Sequence, residues 1–203
     1  MYTRDNRIYQ LALSNGNTIK AGSFLFACGS WLPFLFPEIL GKQISCTKQE
    51  VYYFGVPSGK AEILDNLPVW IDLDGSDFYY GIPGNASRGF KIGVDRRGVA
   101  FDPTNGDRIP DADVLARARQ FLAHRFPALK NAPLLENRVC PYENSLTGNF
   151  IFEHHPDFNN LFFLGGGSGH GFKHGPALGE LVSQCLSGER RTPHLLQVFA
   201  EAS

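Results

Sequence analysis

The sequence has little that would cross-link it or draw it to a strongly charged partner. Its four cysteines, Cys28, Cys46, Cys140 and Cys185, form no CxxC pair and stand far apart. Neither a zinc knuckle nor a disulfide framework is indicated, and a reducing, cytoplasmic compartment is expected. No basic block occurs, and 19 lysines and arginines against 20 acids leave a formal net charge of −1. A nucleic-acid or anionic-membrane partner therefore has no electrostatic support. The most apolar stretch, residues 24–36, is too short to span a bilayer and contains Pro33. The first residues lack the apolar centre of a signal peptide. Internal repeats and low-complexity segments are also missing, and a soluble protein is expected.

What is present is aromatic and apolar. Phe alone occurs 17 times in 203 residues, within a composition that is 43% hydrophobic and 19% charged. That favours a sheet-rich fold with a real core, in one domain or two small ones. Residues 8–13 and 18–26 read as strands around an Asn15-Gly16 turn. Of the second run, 23–27 reads as a strand buried on both faces. Strands are expected at 51–56, 69–73, 78–82 and 90–94, the middle pair joined by Asp74-Gly75. Residues 112–125 read as a helix with Asp111 or Asp113 as its cap and Val114, Ala118, Phe121 and Leu122 on one face, ending at Pro127. Strands return at 150–152 and 161–164, and a last helix carries Leu178, Leu181, Val182, Cys185 and Leu186 and stops at Gly188.

The segment between that last strand and helix is the most informative. Four glycines in Gly165-Gly166-Gly167-Ser168-Gly169 leave backbone N–H groups unobstructed ahead of a helix start, whose dipole adds positive potential. Such a place suits a phosphate or a group that becomes anionic. A tight turn that merely packs helix against strand is the other reading, and both stand at this point. A dinucleotide fingerprint and a GxSxG nucleophile elbow each fail at His170, and the P-loop imitation at 55–60 is one residue short. His170 and His174 have metal-ligand spacing but lack a third ligand, so no metal is expected.

Residues 166–173, Gly-Gly-Ser-Gly-His-Gly-Phe-Lys, resemble the GxSGHGFK signature of the D-amino-acid-oxidase (DAO) superfamily, and within it the sarcosine, N-methyltryptophan and pipecolate oxidase group. Further matches follow in order. Phe26-Ala27-Cys28-Gly29-Ser30-Trp31 resembles the family's AxGxW segment. Tyr79-Tyr80-Gly81-Ile82-Pro83 with Phe90-Lys91-Ile92-Gly93 resembles its YYGFP…LKLG pair. Arg138-Val139-Cys140-Pro141-Tyr142 resembles its RxCxY segment, and His155-Pro156 the HP before the last strand.

The resemblance implies FAD as cofactor and a small amine or amino acid as substrate. It implies contacts to the cofactor from Ala27, Cys28, Gly29 and Trp31. The loop residues Gly166, Gly167, Ser168, Gly169, His170, Gly171, Phe172 and Lys173 would add theirs. Cys140 would carry the flavin through a thioether, where residue type alone suggests a small buried hydrophobe. Lys91 would sit near flavin N5 and assist the reaction with oxygen, where residue type alone suggests a solvated lysine. Tyr80 and Tyr142 would line the substrate pocket, and Lys173 would meet a substrate carboxylate.

Two departures from the family pattern matter. Asp95 stands where the sarcosine-oxidase relatives carry a histidine, and the N-terminal βαβ unit with its GxGxxG turn is missing. The expected fold is therefore α+β. A partial α/β FAD-binding layer at 1–45 and 138–203 would be joined to an antiparallel substrate domain at 46–137, a DAO-like two-domain flavoprotein without its first βαβ unit. The alternative is a chain without activity of its own, supplying a substrate domain to a separate ADP-binding partner or missing half.

Overall fold

The computed structural model describes residues 1–60, 64–74, 77–83 and 88–191. Contacts divide the chain into two compact units, Met1–Cys46 with Tyr142–Ser203 and Thr47–Pro141. Among the described residues no helix is long and apolar enough to cross a membrane.

The first unit begins with a three-stranded antiparallel sheet, β1 (Tyr2–Arg4), β2 (Arg7–Ala12) and β3 (Thr18–Ile19). Asp5 and Asn6 both take positive φ between β1 and β2, the conformation of a two-residue hairpin turn that short polar side chains tolerate. Gly16, at φ +85°, closes the β2–β3 turn as the Asn15-Gly16 pair suggested. The run 18–26, expected as one strand, is broken. After β3 the chain bends, and β4 (Phe24–Phe26) joins a different sheet. Asn160 causes the break. This buried side chain accepts from the Ile8 N–H at 2.9 Å and donates to the carbonyls of Ile8 at 2.7 Å and Gly22 at 2.9 Å. Drawing the Gly22 carbonyl onto one amide ends the pairing with β2. The expectation that 23–27 is buried on both faces is also corrected. Leu25 is 38% exposed, because it alternates to the face opposite the buried Phe24. Two single-turn helices follow, α1 (Leu32–Leu35) and α2 (Pro37–Leu40), each with proline in its first turn, where no N–H is needed.

The second unit is a five-stranded sheet backed by one helix. Its strands are β5 (Ile44–Phe54), β6 (Trp70–Asp72), β7 (Tyr79–Ile82), β8 (Phe90–Val94) and β9 (Leu134–Ser145), in the order β6-β7-β8-β5-β9; the first residues of β5, to Cys46, and the last of β9, from Tyr142, count with the first unit. The helix is α3 (Ala112–Arg125), capped by the Asp111 carboxylate, which accepts from Asp113 N–H at 2.8 Å and Val114 N–H at 3.1 Å. Alternation sends Tyr52, Phe54, Tyr79, Phe90 and Ile92 to the same core as Ala118 and Leu122 of α3. Trp70 stacks on Phe121 at 5.8 Å and Phe90 at 6.1 Å. Glycine is required at 81, since a Cβ there would meet the Trp70 ring. Gly75 of the expected Asp74-Gly75 turn lies outside the described residues, while Arg125 from the helix end pairs with Asp72 at 2.7 Å and Asp74 at 2.8 Å. Strand β9 was not foreseen as a strand. It is charged and contains Pro141, which it tolerates at the outer position of the sheet, where a missing ladder donor costs little.

The chain then completes the first unit. β10 (Ile151–His154) and β11 (Leu161–Gly165) pair antiparallel, and β11 pairs with β4 in parallel, giving the order β10-β11-β4. Phe36 packs edge-on against Phe26 and Phe163 at 4.9 and 4.7 Å. Helix α4 (Gly175–Leu186) lays Val182, Leu178, Leu181 and Cys185 on Phe152 and ends where Gly188 turns at φ +79°. Mixed helices and antiparallel sheets give an α+β architecture. Leu122 is 1% exposed at the centre of the second unit. Leu122→Ala is expected to cost about 2–5 kcal/mol by the cavity it leaves, read as a lowered denaturation midpoint with unchanged slope.

Candidate functional site

In the second unit, several of the expected residues share the sheet face opposite α3. Lys91 lies across from Tyr53 on β5, and Tyr80 across from Gly93 on β8, so alternation puts Tyr53, Tyr80, Lys91 and Gly93 on one face. The Tyr80 ring occupies the space over Gly93, where a Cβ would collide with it, and Lys91 Nζ stands 5.7 Å from the centre of that ring. Burial lowers the Lys91 pKa, and the guanidinium groups of Arg88 and Arg138 add to it, whereas the nearby Cys140 sulfur would oppose it only if ionised. Lys91, Tyr80 and Cys140 thus belong to one local environment. Around them, Glu136 binds Arg88 with both carboxylate oxygens, at 2.5 and 3.0 Å, and Arg138 at 2.6 Å. Arg88 in turn lies 4.1 Å over the Tyr53 ring. Arg88 and Glu136 escaped sequence reading, since each looks like an ordinary surface charge. Cys140 is a free, half-buried thiol. Asp95 follows β8 directly and is exposed, its N–H donating to Phe78 O at 2.7 Å.

In the first unit, the glycine loop after β11 adopts a backbone that few residues permit. Gly166 and Gly169 have φ of +78° and +83°, and Ser168 has +44°. A Cβ on Gly166 would meet the Asn149 carbonyl, and one on Gly169 would meet the Tyr142 ring. Ser168 holds its unusual conformation through its own hydroxyl, which donates to Gly166 O at 3.1 Å and accepts from Ser145 N–H at 3.2 Å.

The expectation that the loop amides stand unobstructed is corrected here. The Gly167 N–H donates to Glu143 Oε1 at 3.1 Å, the Ser168 N–H to Glu143 O at 2.9 Å and the His170 N–H to Gly167 O at 2.8 Å. The reason is that β9 runs beneath the loop and offers it acceptors. Among the described residues the Gly169 N–H makes no such bond, and Gly171 and Phe172 open a 3-10 turn, Gly171–His174, whose first amides have no partner within it. That turn, and not an α-helix, follows the loop; α4 starts at Gly175.

The other expected residues are placed as follows. Ala27 is exposed, Cys28 is half-buried with its thiol pKa raised by burial, and Gly29 turns at φ +53° into a 3-10 turn ending at Trp31, which is 42% exposed. Leu32, next along, reaches the Gly165 end of β11. Phe172 is fully exposed, and Lys173 and His174 are exposed beside it. His170 hydrogen-bonds to Gly148 O at 3.2 Å, and its ring and that of His174 both pack edge-on against Phe150. No group of three or more potential metal ligands occurs among the described residues. Glu143 and Ser145, which clamp the loop, escaped sequence reading; the available signal was their place on the same strand as Cys140.

Gly166→Ala is expected to destabilise the first unit by about 1–3 kcal/mol, from the left-handed backbone and the blocked Cβ position together. Gly175→Ala, at φ −48° with nothing within 4 Å of the new Cβ, is the matched control and should be neutral or slightly stabilising. Denaturant melts of the two variants check the pair.

Known proteins resemble the chain in sequence and in fold. The monomeric sarcosine oxidase of Bacillus sp. (strain B-0618) is 28% identical over 197 residues, covering 94% of this chain and 49% of the relative. The N-methyl-L-tryptophan oxidase of Escherichia coli O139:H28 is 28% identical over 190 residues, covering 89% and 48%. Among solved structures, a modified fructosyl peptide oxidase from Aspergillus nidulans superposes with a TM-score of 0.81 at 17% identity, over 95% of this chain and 48% of that one, a likeness of fold. The chain spans about half the length of the curated relatives it matches. The family described as "FAD dependent oxidoreductase" (DAO) matches residues 2–185, and to that family the chain belongs.

Proposed function

We propose that the chain forms the substrate-side and flavin-contacting part of an oxidoreductase that converts the C–N bond of an amine or N-substituted amino acid to an imine. The single observation that carries this is the grouping of Lys91 and Tyr80 on one sheet face, with Cys140 close enough to bear on the Lys91 charge. FAD, when bound, supplies the acceptor for the two electrons leaving the carbon beside the amine nitrogen, and oxygen or another acceptor regenerates it.

The residues fit such a group. The loop keeps amides at Gly169, Gly171 and Phe172 that take no acceptor from β9, without a Cβ at either glycine, which suits an edge that gains negative charge. Cys140 is a free thiol able to hold the cofactor covalently, and Ala27, Cys28, Gly29 and Trp31 would add contacts. Lys91 brings a cation that burial has stripped of much of its water. Its charge therefore acts on anionic oxygen species through a low local dielectric. Tyr80 and Tyr142 offer phenol hydroxyls to orient the amine or carboxylate of a substrate. Lys173 offers a cation to that carboxylate, and His170 a flat ring.

That the chain spans half the length of its relatives favours a second reading, in which it works only beside a chain or segment supplying the ADP-binding βαβ unit. An absorbance spectrum separates the two. Yellow colour that survives acid precipitation supports covalent FAD, and Cys140→Ser should abolish it. Protein that stays colourless with added FAD supports the second reading. With flavin bound, Lys91→Met is expected to slow reoxidation by oxygen on the order of 100-fold while flavin reduction changes little. Because the Lys91 pKa is lowered, the oxygen step of the unaltered protein should fall as pH rises through a value below that of free lysine. Stopped-flow traces of both half-reactions across pH check this, and equal losses in both would count against the role.

A further inference from the structure

We propose that Glu143 is a positioning residue that grips the glycine loop as an uncharged carboxylic acid, leaving the outward donors of the loop free of a neighbouring negative charge. The purpose of this rests on the flavin reading above, whereas the protonation state is a property of the chain and is tested without flavin.

The geometry leaves an ionised carboxylate badly served. Oε1 accepts the Gly167 N–H at 3.1 Å, but Oε2 is buried and has no hydrogen-bond partner among the described residues. Oε2 faces the Gly165 end of β11, where a Cβ would stand 3.0 Å from it, and where Leu32 and Ile44 close the same space with methyl groups. No Lys, Arg or His forms an ion pair with Glu143 among the described residues.

The titratable groups on the elements around it are few. Tyr142 precedes it on β9, with its ring against Gly169. Lys173 and His174 lie on the 3-10 turn and His170 just before it, all exposed, with His170 bonded to the Gly148 carbonyl. Leu32 and Ile44 bring no charge. Burial accordingly raises the Glu143 pKa, only partly offset by the amides of Gly167 and Gly166. A buried charge with neither counter-ion nor full hydrogen bonding takes up a proton instead.

A neutral clamp has a consequence for the loop. A carboxylate at this position would place a full negative charge behind amides that are to receive an electron-rich group. The acid form still accepts the Gly167 N–H and holds the loop, without opposing that potential. The same logic keeps a carboxyl protonated wherever an apolar site needs its hydrogen bond and not its charge.

A carboxyl whose pKa is raised on folding contributes stability that is present below the ordinary carboxylate range and lost as pH rises through the raised value. In the full-length protein with carboxyl-13C glutamate, one side-chain resonance should keep its neutral-acid position after the others have titrated, and Glu143→Gln should remove it. Exchange protection of the Gly167 and Ser168 amides, corrected for intrinsic rates, should fall about tenfold across that late step in the unaltered protein. It should stay flat with pH in Glu143→Gln, which can still accept through its amide oxygen, and be lost at every pH in Glu143→Ala. The proposal is overturned if the missing resonance titrates with the solvated glutamates, or if Glu143→Gln loses protection as Glu143→Ala does. A normal titration beside acid-stable flavin would sink this proposal alone; the late titration beside a colourless protein would sink only the flavin assignment.

Discussion

The site in the first unit depends on one arrangement of backbone hydrogen bonds, that between strand β9 and the glycine loop. The Glu143 carbonyl and carboxyl take the Ser168 and Gly167 amides, and Ser145 meets the Ser168 hydroxyl. With those bonds made, the chain has to turn at positive φ at Gly166, Ser168 and Gly169 in order to leave β11 and enter the 3-10 turn. Two of the three positions are glycine because side chains would collide with the Asn149 carbonyl or the Tyr142 ring. The third can be serine because its hydroxyl bonds offset part of the strain. The glycines therefore serve as much to let the loop sit on β9 as to open it to a ligand. The outward donors are what remain after β9 has taken its share.

The sheet of the second unit sends its aromatic core and its polar residues to opposite faces by alternation. Tyr52, Phe54, Phe90 and Ile92 meet α3, and the residues between them carry Tyr53, Lys91 and Gly93 to the other side. A one-residue slip of β8 would bury Lys91 against Leu122 and expose Phe90, so the aromatic core that stabilises the unit also fixes the face on which the lysine stands. Gly93 is small because Tyr80 lies across it, and this in turn sets the Tyr80 ring near Lys91.

Elements whose pattern is repeated along several turns or residues were legible in the sequence. Helix 112–125, with its Asp111 cap, and strands β7 and β8 stand where periodicity put them, since the same burial that stabilises them writes the pattern. Elements decided by a single distant contact were not. The break between β3 and β4 comes from Asn160, well over a hundred residues away, and no local signal at Gly22 announces it. Strand β9 hides its nature behind charges and Pro141 because it lies at the outer position of its sheet, where one face need not be apolar. Of the candidate site, the glycine motif and the Lys91 and Cys140 positions were visible through family resemblance. The clamps Glu143 and Ser145 and the Arg88–Glu136–Arg138 cluster were not, because their roles come from partners brought near only by folding.

Burial acts on the two ionisable groups at the heart of these units in the same sense, toward neutrality, yet the proposed chemistry asks opposite things of them. Glu143 is wanted neutral, and its surroundings agree: apolar carbon on one side, amides on one oxygen, no cation to hold a charge. Lys91 is wanted charged, and its surroundings oppose this, since burial and two arginines press the proton off. The carboxylate of Glu136 bears on this balance by engaging both arginines, which draws off part of their repulsion. The same residue that looks like a surface acid in the sequence is, in the fold, the partner of both arginines that repel that ammonium.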